Sequence, residues 1–283
     1  MTLLWLIPLI LLILFIIIMI AVDSNRFVTR RYEIISDKVS KNVRVVFLSD
    51  LHNKVYGKNN DVLIKAIKDQ KPDIALLGGD IMTAYPGRDF SVATSFVRAI
   101  KEKFPVAYAL GNHEYRARIY PEVYGSLFDD YKNEISGMGI EFLDNSFVTF
   151  FNEINVYGLT MDAVYYRRFR HYPMADDYTK GLLGERDNEK FNIVMAHDPD
   201  YFDSYANWKP DLVLSGHNHG GVVRIPGWKG VISPMWRLFP RYDGGRFKKG
   251  SSTMIVSRGL GMHTIPLRLF NPAEIVVIDI KKE

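Results

Sequence analysis

At 283 residues with 47% hydrophobic side chains, the chain is long enough for one substantial domain and an appendage, and its composition excludes a disordered protein. It has no cysteine, so disulfides and thiolate zinc sites are excluded, and a transition metal must be held by His, Asp, Glu or Asn. A net charge of +4, from 36 basic and 32 acidic residues, is too small to argue for nucleic acid and suits a membrane surface or a phosphorylated substrate.

The first predicted element is a membrane helix. Leu3 to Val22 is twenty residues without a charge, followed by Asp23, Arg26, Arg30 and Arg31. A helix of that length spans roughly 30 Å of hydrocarbon. It lacks the basic leader and small-residue cleavage site of a signal peptide, so residues 1–22 read as a retained single-pass anchor in the cell membrane. The arginines on its C-terminal side place the following domain in the cytoplasm by the positive-inside rule. Residues 23–41 are polar without a clear period and read as a juxtamembrane linker, leaving 42–283 as the folded domain.

Val43 to Leu48 (VRVVFL) predicts a strand, residues 60–70 a helix capped by Asn60 or Asp61, and Asp73 to Leu77 (DIALL) a short buried strand. Phe90 to Lys103 reads as a helix and Val106 to Leu110 as a third strand, so this half is a βαβαβ run that makes a parallel sheet. Later strands are predicted at 147–151, 156–159, 193–196, 212–214, 254–256 and 275–280, suggesting a second, mixed sheet packed on the first.

Polar residues collect where these strands end, the place at which open α/β sheets bind ligands. They are Asp50 and His52 in SDLH, Asp80 in GGD, Asn112 and His113 in GNHE, His197 in MAHDP, and His217 and His219 in GHNHGG. Taken singly, the first three are more simply read as loop carboxylates and turns. The distribution of histidine argues otherwise: of seven in the chain, five (His52, His113, His197, His217, His219) directly follow an apolar strand, and only His171 and His263 lie elsewhere. Imidazoles, carboxylates and one amide oxygen suit Mn²⁺, Fe, Zn²⁺ or Co²⁺ better than Mg²⁺ or Ca²⁺. Seven ligands are too many for one ion. They suffice for two ions roughly 3.5–4 Å apart with a shared carboxylate and a shared water, an arrangement suited to phosphoryl displacement by hydroxide.

Those five blocks, DLH, GGD, GNHE, the isolated His of MAHDP and GHNHGG, resemble in order the calcineurin-like metallophosphoesterase family, and the tail is similar to a membrane-associated bacterial subgroup. The resemblance runs from about Val43 to the C-terminus. It implies an α/β fold of two mixed β-sheets packed as a sandwich and flanked by helices, here preceded by one N-terminal transmembrane helix. It also implies that Asp50, His52 and His219 hold one metal, that Asn112, His197 and His217 hold the other, and that Asp80 bridges. His113 would act on the leaving oxygen or the phosphoryl group and ligate no metal. The activity implied is a phosphodiesterase, phosphomonoesterase or pyrophosphatase using a metal-bridging hydroxide and two divalent or trivalent ions, Mn foremost.

The expected substrate is a phosphorylated small molecule or a lipid-linked one met at the membrane, with no nucleic-acid partner. The alternatives are a pyrophosphatase of UDP-2,3-diacylglucosamine-type lipid precursors and a non-catalytic metal-binding scaffold at the membrane. Two stretches that mix basic and aromatic residues, Tyr165 to Tyr172 and Trp228 to Tyr242, are candidates to lie beside the metal site. Arg258 and Arg268 are open between substrate binding and support of the fold.

Overall fold

The computed structural model describes residues 2–167, 170–262 and 266–283, so Arg168 and Phe169 of the first basic and aromatic stretch, and His263, lie outside the described residues. The chain opens with helix α1 (Thr2–Asn25), which ends three residues beyond the predicted anchor. Most of its apolar side chains face outward, and it is long and apolar enough to cross a membrane.

One residue later β1 (Phe27–Ser36) begins, where the sequence predicted a linker. The segment alternates about every second residue, with Tyr32 and Ile34 turned toward the core, and it pairs in parallel with the C-terminal strand from Phe27 opposite Ala273 to Ser36 opposite Lys282. The period was hidden because Arg30 occupies one of the inward positions. Its charge is met there by the buried Glu274 at 2.7 Å.

Then follow β2 (Val43–Leu48), α2 (Asp61–Asp69), β3 (Ile74–Leu77), α3 (Ser91–Lys101), β4 (Val106–Ala109), α4 (Asn112–Ile119), α5 (Pro121–Tyr124), α6 (Leu127–Gly137) and β5 (Phe142–Leu143). The second half holds β6 (Ser146–Phe150), β7 (Ile154–Leu159), α7 (Tyr178–Leu183), β8 (Phe191–Ala196), α8 (Phe202–Asn207), β9 (Leu212–Ser215), β10 (Gly245–Lys249), β11 (Ser252–Val256) and β12 (Ala273–Lys282). Two mixed six-stranded sheets result, in the orders β1-β12-β2-β3-β4-β5 and β10-β11-β9-β8-β7-β6.

Each central strand is buried on both faces, which is why it reads as an unbroken apolar run. Val45, Phe47, Ile74 and Leu76 of the first sheet meet Val156, Ile193, Met195 and Leu214 of the second to form the core between them. On the outer face of the first sheet, Leu63 and Ile67 of α2, Phe96, Val97 and Ile100 of α3 and Tyr131 and Ile135 of α6 cover Val46, Leu48 and Leu77. Phe202 and Tyr205 of α8 cover Val194 and Val213 of the other sheet. The fold is thus the predicted sandwich with helices on both sides. Strands β2, β3 and β4 run parallel, as do β7, β8 and β9, so within each set the loops leave from one end.

Candidate metal centre

All eight site residues predicted from sequence follow the ends of β2, β3, β4, β8 and β9, and the structure brings them together from both sheets. Asp50, His52 and His219 form one buried group whose donor atoms lie within 4.8 Å of one another, and Asp80, His197 and His217 form a second. Asn112 joins the second group through its Oδ1, which lies 2.7 Å from His217 Nδ1. Asp80 Oδ2 stands between the groups, 3.8 Å from His52 Nε2 and 3.2 Å from His197 Nε2. His113 packs at the side, its ring centroid 4.8 Å from that of His52, and forms a third grouping with His52 and Asp80.

The loops that carry these side chains are built tightly. A Cβ on Gly216 would lie 2.2 Å from Asp50 Oδ2, and one on Gly79, itself at φ +87°, would lie 2.2 Å from Gly111 N, so neither position admits a side chain. Asp50 is fixed by Ser49 Oγ–H, donated to Oδ2 at 2.5 Å, and by His217 N–H, donated to Oδ1 at 3.1 Å. Asp80 accepts His113 N–H at 2.7 Å on Oδ1, leaving Oδ2 for the centre. Glu114, fully buried, accepts the backbone N–H groups of Asp80 at 2.8 Å, Ile81 at 3.0 Å and Gly111 at 3.1 Å, and the Tyr108 hydroxyl at 2.9 Å. Burial and the charge of Asp80 raise its pKa to about 7.

The donor set fits cations. His197 Nδ1 lies 2.8 Å from Gly78 O and gives its proton there, while Nε2 faces Asp80 Oδ2 and Asp50 Oδ1 at 3.2 and 3.7 Å, a place for either a second proton or a metal ion. Nε2 of His197 and of His217 are buried without a hydrogen bond. His52 Nε2 and His219 Nε2 face each other at 3.1 Å. Several acceptors crowded into a dry space require positive charge among them. The titration behaviour says the same. Burial opposes protonation of His197, yet Asp80 and Asp50 hold its pKa up at about 10, while burial and the neighbouring His113 push His52 well below its usual value. Burial likewise works against Asp50, but His219 and His197 hold its carboxyl well below the carboxylate range.

At His113, both Ala84 N–H, at 3.0 Å, and Arg116 Nη2, at 3.1 Å, approach Nδ1. That nitrogen is therefore the acceptor, and a neutral ring carries its proton on Nε2. Burial, with some help from the Arg116 charge, lowers its pKa to about 4, which keeps it neutral.

Two cavities open on the cluster. A groove of about 660 Å³ is lined by His52, His113, Lys54, Arg88 and Arg116, and one of about 210 Å³ by Asn112, His217, Tyr166, Arg167 and Met235. The two basic and aromatic stretches thus reach the site through Tyr166, Arg167 and Met235, while Trp228, Trp236, Leu238 and Phe239 stay exposed and His171 stacks on Tyr201. Arg268 is not a substrate ligand. It is buried, and its guanidinium donates to the carbonyls of Arg258, Gly259, Gly261 and Asn271. Arg258 lies against Glu274, at 3.7 Å. Sequence reading missed Arg116, Lys54 and Arg88. For Arg116 the signal was available: on a helix, three residues after His113 is the same face.

Residues 43–221 match the family described as calcineurin-like phosphoesterase. The chain is 26% identical over 245 residues to the uncharacterized metallophosphoesterase YkuE of Bacillus subtilis, covering 84% of this chain and 79% of that one. It is 27% identical over 243 residues to the phosphodiesterase YaeI of Escherichia coli, covering 84% and 82%. Among solved structures, TT1561 of Thermus thermophilus aligns with a TM-score of 0.47 and 16% identity over 77% of this chain and 90% of that one. Since the family match spans more than half of the chain and takes in all five loops, the protein belongs to the calcineurin-like phosphoesterase family and is a metal-dependent hydrolase of phosphoester bonds.

Proposed function

We propose that the chain is a membrane-anchored phosphodiesterase with two metal ions, Mn²⁺ foremost. Asp50, His52 and His219 would hold one ion, Asn112, His197 and His217 the other, and Asp80 both. The observation that carries this reading is the position of Asp80 Oδ2 between the two histidine groups, with its partner Oδ1 already engaged by His113 N–H. The ions, when bound, supply Lewis acidity toward the phosphoryl oxygens and lower the pKa of water.

The protein's own contribution is positional. The glycine-tight loops hold the carboxylates, the apolar strands behind them exclude water, and Arg116 and Arg167 in the two cavities meet the substrate's negative charge. His113, neutral and with its proton on Nε2, donates toward the leaving oxygen. Its Nδ1 is occupied by Ala84 N–H and Arg116, so the proton it has to give is the one on Nε2.

The anchor in this reading is α1, through its length and apolar surface. The test uses purified enzyme, bis-p-nitrophenyl phosphate and Mn²⁺. Asp80→Ala loses both metal equivalents and all turnover. His113→Gln keeps two equivalents and loses roughly a hundredfold or more in kcat, the scale of a missing general acid. Equal metal loss in the two variants contradicts the assignment of His113, and an inactive, metal-loaded parent contradicts the hydrolase.

A further inference from the structure

Helix α1 does not hang from the domain by a linker. Ile16, Met19, Ile20 and Asp23, spaced as one helical face, are with Ser24 the more buried of its described positions, and the Phe15 ring lies 6.3 Å from that of Phe270 of the domain. At its end the buried Asp23 accepts Asn271 N–H at 3.1 Å, and Ser24 Oγ accepts Arg268 N–H at 3.0 Å. Only Arg26 separates the helix from β1, so α1 leaves the domain on a fixed bearing.

The larger groove reaches from His52 and His113 to this junction. Lys54, on its wall, places Nζ 3.1 Å from Asn25 Oδ1, the last residue of α1. A helix that spans a bilayer ends at the headgroup layer. The groove therefore opens at that layer, and its bearing is set by the docked helix. Its walls carry the cations Lys54, Arg88 and Arg116 beside apolar Val55 and Tyr85, which are 41% and 64% exposed. Cations beside exposed apolar surface at an interface match a molecule that is anionic at one end and hydrocarbon at the other.

We infer that this groove takes the headgroup of an anionic amphiphile directly from the bilayer, so that the substrate class is a lipid phosphodiester whose tail remains in the membrane beside α1. The inference rests on the phosphoesterase reading above. In the step itself, water oxygen bonds to phosphorus as one ester P–O bond breaks. The released alcohol takes a proton, and a phosphomonoester remains.

The experiment uses the full chain with Mn²⁺ in phosphatidylcholine nanodiscs and compares two chromogenic diesters, hexadecyl p-nitrophenyl phosphate and methyl p-nitrophenyl phosphate. The expected kcat/KM is more than tenfold higher for the hexadecyl ester. Lys54→Glu and Arg88→Glu, the latter at an exposed position that folding does not need, are each expected to cut that preference at least fivefold. Equal cleavage of both esters overturns the inference. So does a preference that survives both substitutions, which would reflect shared residence in the membrane alone. Cleavage of neither ester instead sinks the hydrolase reading on which the inference stands.

Discussion

Asp50, His52, Asp80, His217 and His219 all adopt left-handed backbone conformations, with φ between 49° and 65°. Such conformations cost about 1–3 kcal/mol each outside glycine and persist only where the surroundings impose them. Five of them in one buried cluster of carboxylates and imidazoles make this a part of the molecule that gains from bound cations. Removing metal with EDTA is therefore expected to lower the melting temperature. Restoring Mn²⁺ to a hundred times its Kd should return about 2.7 kcal/mol, the mass-action value for one site. A melting curve indifferent to EDTA and Mn²⁺ would count against a metal centre at these residues.

Glu114 carries a second prediction. Its carboxylate accepts four backbone N–H groups and a phenol, so Glu114→Gln turns a donor toward donors. A loss of about 1–3 kcal/mol is expected in denaturant unfolding, together with weaker metal binding as the Asp80 loop loosens. An unchanged unfolding midpoint would show that the Asp80 loop holds itself. The convergence of the candidate metal ligands was legible because histidines and carboxylates stood at strand ends. Lys54 and Arg88 were not, since nothing in their local sequence says they share a groove with Arg116. That follows only from the convergence of the loops after β2 and β3 with α4.

Among elements, β2, β3, β4, β8 and β9 were legible because burial on both faces makes a strand apolar throughout, and the observed bounds fall within about two residues of those read. Helices α4 to α6 went unread because α6 shows its apolar face only as Leu127, Tyr131 and Ile135 among charges. The most consequential miss was β1, whose inward Arg30 looks polar until Glu274 is seen across from it.

Because β1 pairs along ten residues with β12, a chain beginning at Asp37 would expose a long apolar edge. It is expected to aggregate in size-exclusion chromatography, whereas a chain beginning at Asp23 stays monodisperse. Equal behaviour of the two would mean that β1 is dispensable. Within the longer chain, Asp23→Ala removes the carboxylate that accepts Asn271 N–H, while Asn271 itself holds the carbonyl of His219 at 2.8 Å. A stability loss of about 1–3 kcal/mol is expected from the orphaned donor. No change in thermal unfolding would show that the end of α1 is only a tether.

At the scale of the molecule, the site exists because two sheets face each other with their loops at a common edge. Neither sheet carries a complete ligand set: Asp50, His52, Asp80 and Asn112 follow strands of the first, and His197, His217 and His219 follow strands of the second. Coordination of an ion here would therefore also fasten one half of the sandwich to the other. Of the three arginines read as a topological signal, two are also committed to the fold, Arg26 to Asp23 and Arg30 to Glu274.

The central claim is that these seven side chains enclose two ions with Asp80 between them, and anomalous diffraction from crystals of the Mn²⁺-loaded protein tests it most directly. The account predicts two peaks roughly 3.5–4 Å apart, one beside Asp50, His52 and His219, the other beside Asn112, His197 and His217, with Asp80 touching both. A single peak, or two that Asp80 does not join, would contradict it.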